Sequence, residues 1–141
     1  MDIDDELLVS GSIDNKIRVW NLVTNKLLFE FAHEALVHGV KIVDKMVLSC
    51  GDKTLRIWNL TDGNLLHKLQ LPSWCYNFDL NSEKTLLAIA HFDGVSIWDF
   101  LNVIQLMEVS MNEVYDVRFN EQGTTLIVGQ SDGQVSKIDL Y

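Results

Sequence analysis

His33, Ser49 and Asp52 are the residue types of a hydrolase triad, in which an imidazole takes a serine proton and a carboxylate orients the imidazole. Their surroundings argue against that chemistry. Ser49 lies in Leu48-Ser49-Cys50-Gly51, not in the G-x-S-x-G turn that lifts a nucleophile above a sheet, and the run around it has the composition of a strand. His38, His67 and His91 stand isolated, with no second ligand at metal spacing. Asp4-Asp5-Glu6 reads as a solvated hairpin turn rather than a calcium loop. Ser10-Gly11-Ser12 lacks the lysine of a phosphate loop. Cys50 and Cys75 form no CxxC pair and read as small apolar fillers, free and reduced. No catalytic residue, metal or cofactor is expected.

Charge narrows the partners. The 141 residues carry 11 Lys and Arg against 20 Asp and Glu, a formal net charge of −9 with no basic cluster. Phosphate backbones and anionic membrane surfaces need clustered cations, so nucleic acid and membrane are not expected partners. No apolar run reaches the length of a membrane span, and no signal peptide opens the chain. With the reduced cysteines, this gives an expectation of an intracellular protein, cytoplasmic or nuclear.

The elements that would position these residues recur. Ile17-Arg18-Val19-Trp20-Asn21-Leu22, Leu55-Arg56-Ile57-Trp58-Asn59-Leu60 and Val95-Ser96-Ile97-Trp98-Asp99-Phe100 nearly superimpose, and Val135 to Leu140 follows with Ile138 in place of tryptophan. Trp20, Trp58, Trp98 and Ile138 stand 38, 40 and 40 residues apart. A turn bearing Asp14, Asp52, Asp93 or Asp132 precedes each segment, and before each turn lies an apolar run: Glu6 to Ser10, Lys45 to Cys50, Thr85 to Ala90 and Thr124 to Gly129. Further strands are expected at Lys26 to Phe31, Leu65 to Leu69 and Val103 to Val109. Others are expected at Val37 to Ile42, Cys75 to Leu80 and Val114 to Phe119. Four antiparallel strands per period of about 40 residues make one propeller blade.

The stretches Leu8 to Asn21 and Met46 to Asn59 resemble the core of a WD40 repeat, and the resemblance runs over almost the whole chain. It implies an all-β, WD40-type β-propeller of about 3.5 four-stranded antiparallel blades, in repeats of approximately 1–31, 32–70, 71–109 and 110–141. It also implies a hydrogen-bonded structural tetrad of His33, Ser49, Asp52 and Trp58 in the second repeat, in place of a catalytic triad. Asp14, Asp93 and Asp132 would be the other blade-turn aspartates, and Trp20 and Trp98 the other blade tryptophans. The third repeat has Leu71-Pro72-Ser73 where a Gly-His pair belongs, so the full set is expected only once. Arg18 and Arg56 are expected to lay their stems over the adjacent ring. Trp74 reads first as a core filler, and alternatively as an exposed anchor for a partner.

Counting strands, the chain begins in the second strand of its first repeat, with Met1-Asp2-Ile3 the stub of an inner strand, and stops after the third strand of its last. Two full blades flanked by two three-stranded ones are expected. Such an arc is either part of a larger propeller, one half of a ring completed by a second copy, or a small distorted ring. Function is expected in the loops, as a non-catalytic scaffold for other proteins or peptides within a multi-protein complex. Contact residues by position are Ile13, Asn15, Glu34, Lys53, Trp74, Phe92, Asn112 and Gln130. The Asp52 to Trp58 hairpin and the turn Ile42 to Met46 also resemble the propeller half of F-box/WD proteins. That implies a substrate receptor of a cullin-type ubiquitin ligase as the alternative, and a propeller hydrolase as the rival in another class.

Overall fold

A computed structural model describes residues 1–141 and contains strands only. The first sheet holds β1 (Asp2–Asp4), β2 (Leu7–Gly11), β3 (Lys16–Asn21) and β4 (Lys26–Ala32). The second holds β5 (Val37–Val43), β6 (Met46–Gly51), β7 (Thr54–Asn59) and β8 (Leu65–Gln70). The third holds β9 (Cys75–Leu80), β10 (Leu86–His91), β11 (Gly94–Asp99) and β12 (Ile104–Ser110). The fourth has three strands, β13 (Val114–Phe119), β14 (Thr125–Gln130) and β15 (Val135–Asp139). Each sheet is an antiparallel meander in chain order, and none closes on itself. The chain divides into two compact units, Met1–Leu71 and Pro72–Tyr141, each holding two sheets.

The strand count corrects the sequence reading at the N-terminus. Asp2–Asp4 is a paired strand, with Asp2, Ile3 and Asp4 opposite Val9, Leu8 and Leu7. Three sheets are therefore four-stranded, and only the last has three. Propensity hid this strand, since aspartate is poor in sheets. Tertiary bonding holds it: the Asp2 carboxylate accepts the Ile42 N–H of β5 at 2.8 Å. The second unit repeats the clasp, with the Asp79 carboxylate of β9 accepting the Phe119 N–H of β13 at 2.9 Å.

Hairpin register decides which side chains meet. In the second sheet Val47 faces Trp58, and Ser49 faces Arg56. Alternation along a strand places these four on one face and Leu48, Cys50, Leu55 and Ile57 on the other. In the first unit, Val9, Ile17, Val19 and Phe31 of the first sheet pack against Val37, Ile42, Val47 and Trp58 of the second. In the second unit, Ala88, Ala90, Val95 and Ile97 pack against Val114, Val117, Leu126 and Val128. The faces are the same in both; the residue sizes differ.

The turn after each Trp strand is built the same way three times. The side-chain oxygens of Asn21, Asn59 and Asp99 accept backbone N–H groups two or three residues on. Each turn then needs one residue in the left-handed region, supplied by Asn25 (φ 55°), Gly63 (φ 75°) and Val103 (φ 57°). A β-branched residue is the poorest choice there. Val103→Asn, which copies Asn25, is predicted to stabilise the chain by about 1 kcal/mol in urea unfolding. A loss of stability would contradict the reading of Val103 as strained.

Candidate functional site

The triad-like residues do come together, in a closed network inside the first unit. His33 enters from the linker between β4 and β5, Ser49 from β6, Asp52 from the two-residue turn between β6 and β7, and Trp58 from β7. The Trp58 indole N–H donates to the Ser49 hydroxyl at 2.9 Å, and that hydroxyl lies 2.8 Å from His33 Nε2. His33 Nδ1 lies 3.2 Å from Asp52. One tautomer satisfies all three contacts: Nδ1–H donates to Asp52, while Nε2 accepts the Ser49 proton. Asp52 also accepts the Thr54 hydroxyl at 2.6 Å, the Glu34 N–H at 3.0 Å and an Arg56 guanidinium N–H at 3.2 Å. Ser49 is fully buried and His33 nearly so. The Ser49 hydroxyl is engaged by Trp58 on one side and His33 on the other.

The head of Arg56 has a role of its own: its guanidinium donates to Thr54, to Asp52 and to the Ala32 carbonyl at 2.9 Å. Arg18 does likewise, bonding Asp14 at 2.8 Å and Glu30 at 3.2 Å. The Arg18 guanidinium beside Asp14 is the largest influence on that carboxyl and holds it at about 2. Asp14 and Asp132 cap their own turns by accepting the N–H groups of Lys16 and Gln134. Asp93 is not the counterpart of Asp52: register makes the third turn Phe92-Asp93, so Phe92 takes the first position and Asp93 the second.

The third sheet has a different buried network, which the sequence reading missed by treating His91 as isolated. His91 is fully buried. Its Nδ1 lies 3.1 Å from the Ser73 hydroxyl, and its Nε2 lies 3.0 Å from Ser96 and 2.7 Å from Glu108. Ser96 donates to Glu108 at 2.6 Å, and the Asp93 N–H donates to Ser73 at 3.0 Å. Ser73 and Ser96 of this serine, histidine and glutamate set are also buried. Ile89 stands in the register position of Ser49, so the Trp98 indole N–H is buried without an acceptor. Trp20 is half-buried and lines a small notch with Leu8 and Asn25.

The residues expected to contact partners fall on hairpin tips and on the linkers tied to them, except Gln130, which ends β14. In the first unit the Asn15 carbonyl accepts the His33 N–H at 2.9 Å, and the Lys53 carbonyl accepts the Leu71 N–H at 2.9 Å. Ile13 is 87% exposed and Lys53 is exposed; the Glu34 side chain projects into solvent. In the second unit the Phe92 N–H donates to the Trp74 carbonyl at 2.9 Å, and Gln130 Nε2 donates to the Asn112 carbonyl at 3.1 Å. Trp74 is 45% exposed, so the core-filler reading fails. Its neighbours Ser73 and Cys75 take the buried positions of that alternation. His38 and His67 lie exposed on β5 and β8. No group of three or more His, Cys, Asp or Glu side chains is placed to hold a metal ion. No helix is long and apolar enough to cross a membrane.

Residues 1–21 and 25–59 match the family described as WD domain, G-beta repeat. The small ribosomal subunit protein RACK1y of Oryza sativa subsp. japonica is 28% identical over 91% of the chain and 42% of its own length. The tRNA (guanine-N(7)-)-methyltransferase non-catalytic subunit wuho of Drosophila ananassae is 32% identical over 67% of the chain and 26% of its own. The chain thus spans less than half the length of these curated relatives. The crystal structure of the computationally designed Ika4 protein superposes with a TM-score of 0.87 at 25% identity, covering 99% of this chain and 89% of that one.

Two measurements test the first network. Burial, the largest influence, lowers the His33 pKa; Asp52 pulls it up, and Arg56 pushes it down. The unfolded imidazole titrates near 6.5, so as pH falls the unfolded chain binds the proton first and stability drops from about that pH downward. Asp52 adds to the loss at lower pH. Burial opposes its ionisation most, yet Thr54, the Glu34 N–H and His33 together hold its carboxyl below 3.8. The urea midpoint is predicted to fall between about pH 7 and 5.5, and His33→Gln to flatten that fall; a midpoint indifferent to pH would contradict a buried neutral imidazole. Separately, Trp58→Phe is predicted to destabilise by about 1–2 kcal/mol more than Trp98→Phe, because only Trp58 loses an indole hydrogen bond. Equal losses would deny that bond its weight.

Proposed function

We propose that the chain is a WD40 repeat protein and, from that premise, a non-catalytic platform that binds other proteins or peptides through the hairpin tips and linkers of its sheets. The observation that carries this reading is the backbone bonding of those loops. Within each unit a linker is hydrogen-bonded to a hairpin tip: His33 N–H to the Asn15 carbonyl at 2.9 Å, Met111 N–H to the Asp93 carbonyl at 3.0 Å, and Ser131 N–H to the Glu113 carbonyl at 3.0 Å. Loops held this way lose little entropy when a partner docks. Exposed apolar side chains sit on them, among them Ile13, Trp74 and Phe92. The serines beside both histidine networks are sealed, which argues against hydrolysis.

The two relatives described above are named as a ribosomal subunit protein and as a non-catalytic subunit, which accords with work inside an assembly. Cys50 and Cys75, both buried and outside any disulfide, favour a reducing, intracellular compartment. The narrower reading of a ubiquitin-ligase substrate receptor rests on the Asp52 to Trp58 hairpin sequence and gains nothing from the geometry.

The test is quantitative affinity capture with the native chain and with a Trp74→Ala, Phe92→Ala, Asn112→Ala variant whose melting temperature is unchanged. Proteins held by the native chain are predicted to be lost from the variant and retained by an outer-strand control, Leu66→Ala. Identical captures by all three would reject the loop-face platform.

A further inference from the structure

The second unit carries one notch whose lining has a definite chemistry. It lies between the β10–β11 turn and the linker from β12 to β13, encloses about 460 Å³, and is lined by Phe92, Asp93, Ser110, Met111, Asn112 and Glu113. That volume lies within the range of pre-formed binding pockets. Its walls are fixed by the Met111 to Asp93 and Ser131 to Glu113 backbone bonds already described. The Glu113 carboxylate is itself held, accepting the Ser131 hydroxyl.

We infer that this notch receives a basic side chain, arginine or lysine, from an extended segment of a partner protein. Three features converge on that occupant. Phe92, 38% exposed, and half-buried Met111 offer apolar surface for the methylene stem of a long cation. Asp93 and Glu113 place carboxylates for its charged head, and neither residues 92–93 nor 110–116 include a lysine or arginine that would neutralise them. Two residues on from Glu113, Tyr115 pairs with Tyr76, their rings 4.5 Å apart and tilted by 46°. Each is the extra residue of a β-bulge, skipped in the pairing of β9 with β10 and of β13 with β14. A bulge re-aims its side chain, and exposed tyrosine faces attract cations. Tyr115 is 42% exposed. Tyr76 has its pKa raised, first by burial and then by Tyr115 and the charge of Glu113. The net charge of −9 adds long-range attraction for a basic segment.

This inference rests on the platform reading and can fail without it. The probe is a fluorescein-labelled peptide of arginine, lysine, glycine and serine, with a matched peptide in which glutamate replaces every cation, titrated into the full chain by fluorescence anisotropy. Saturable binding of the basic peptide alone is expected. The pair Asp93→Asn, Glu113→Gln is expected to weaken it roughly tenfold, the sum of two partly exposed charge contacts. Met111→Arg, which fills the notch with an internal cation, is expected to abolish it. Asp62→Asn with Glu83→Gln removes the same charge elsewhere and is expected to leave binding within about twofold. No saturable binding, or an equal loss in the control pair, overturns the inference. The basic peptide is also added to the affinity capture. Captured proteins that it fails to displace overturn the basic-side-chain inference while leaving the platform standing.

Discussion

One contact in the first unit explains why a 40-residue period becomes a stack of sheets instead of a string of separate hairpins. Phe31 of the first sheet and Trp58 of the second stack with ring centroids 4.5 Å apart and planes 10° apart, and Phe29 lies 5.7 Å from Phe31 on the same side. A four-stranded meander of this size buries too little to hold its own shape, so its apolar face must find another sheet. The tryptophan supplies the largest piece of that face. Its indole N–H would be an unpaired donor in the core, and the Ser49, His33, Asp52 chain answers it. The same chain pins the linker between the two sheets, because His33 belongs to that linker. Packing between sheets and order in the loops are two results of one set of bonds.

The second unit reaches the same packing with other residues. Val109 and Ile138 take the register positions of Phe31 and Trp58. Small Ala88 and Ala90 face Val114, Val117, Leu126 and Val128, so close aliphatic contact replaces the aromatic stack. The polar work passes to His91, which stands where Gly51 stands in the second sheet and reaches Ser73 in the preceding linker. The repeat therefore conserves a task, tying the linker to the hairpin through a buried imidazole, while the residue that performs it moves along the chain. The Trp98 N–H is left without an acceptor by that rearrangement.

The repeat itself was legible because its signals are local. Alternation, turn chemistry and a recurring tryptophan place fourteen strands within a residue or so of their observed ends. What escaped depends on register or on distant bonds. β1 is three residues, two of them aspartate, and is made a strand by Leu7 to Val9 and by the Ile42 N–H. The His91 network needs the knowledge that a two-residue turn brings Gly94 opposite His91 and leaves Ser96 within reach, while Glu108 arrives from the outer strand. Proximity to a tryptophan groups Asp93 with Asp52, yet its distance of five residues, against six for Asp52, marks a different turn position. The exposure of Trp74 could not be read from residue type, since tryptophan serves cores and binding surfaces alike.

Loops tied down in this way are suited to recognition, and their order depends on the sheets beneath them staying in register. The sheets of the first unit are locked through the Phe31 and Trp58 rings. A double-mutant cycle with Phe31→Leu and Trp58→Leu, read by equilibrium unfolding, measures that contact alone. The account predicts a coupling of about 0.5–1.5 kcal/mol between the two substitutions; strictly additive losses would contradict it.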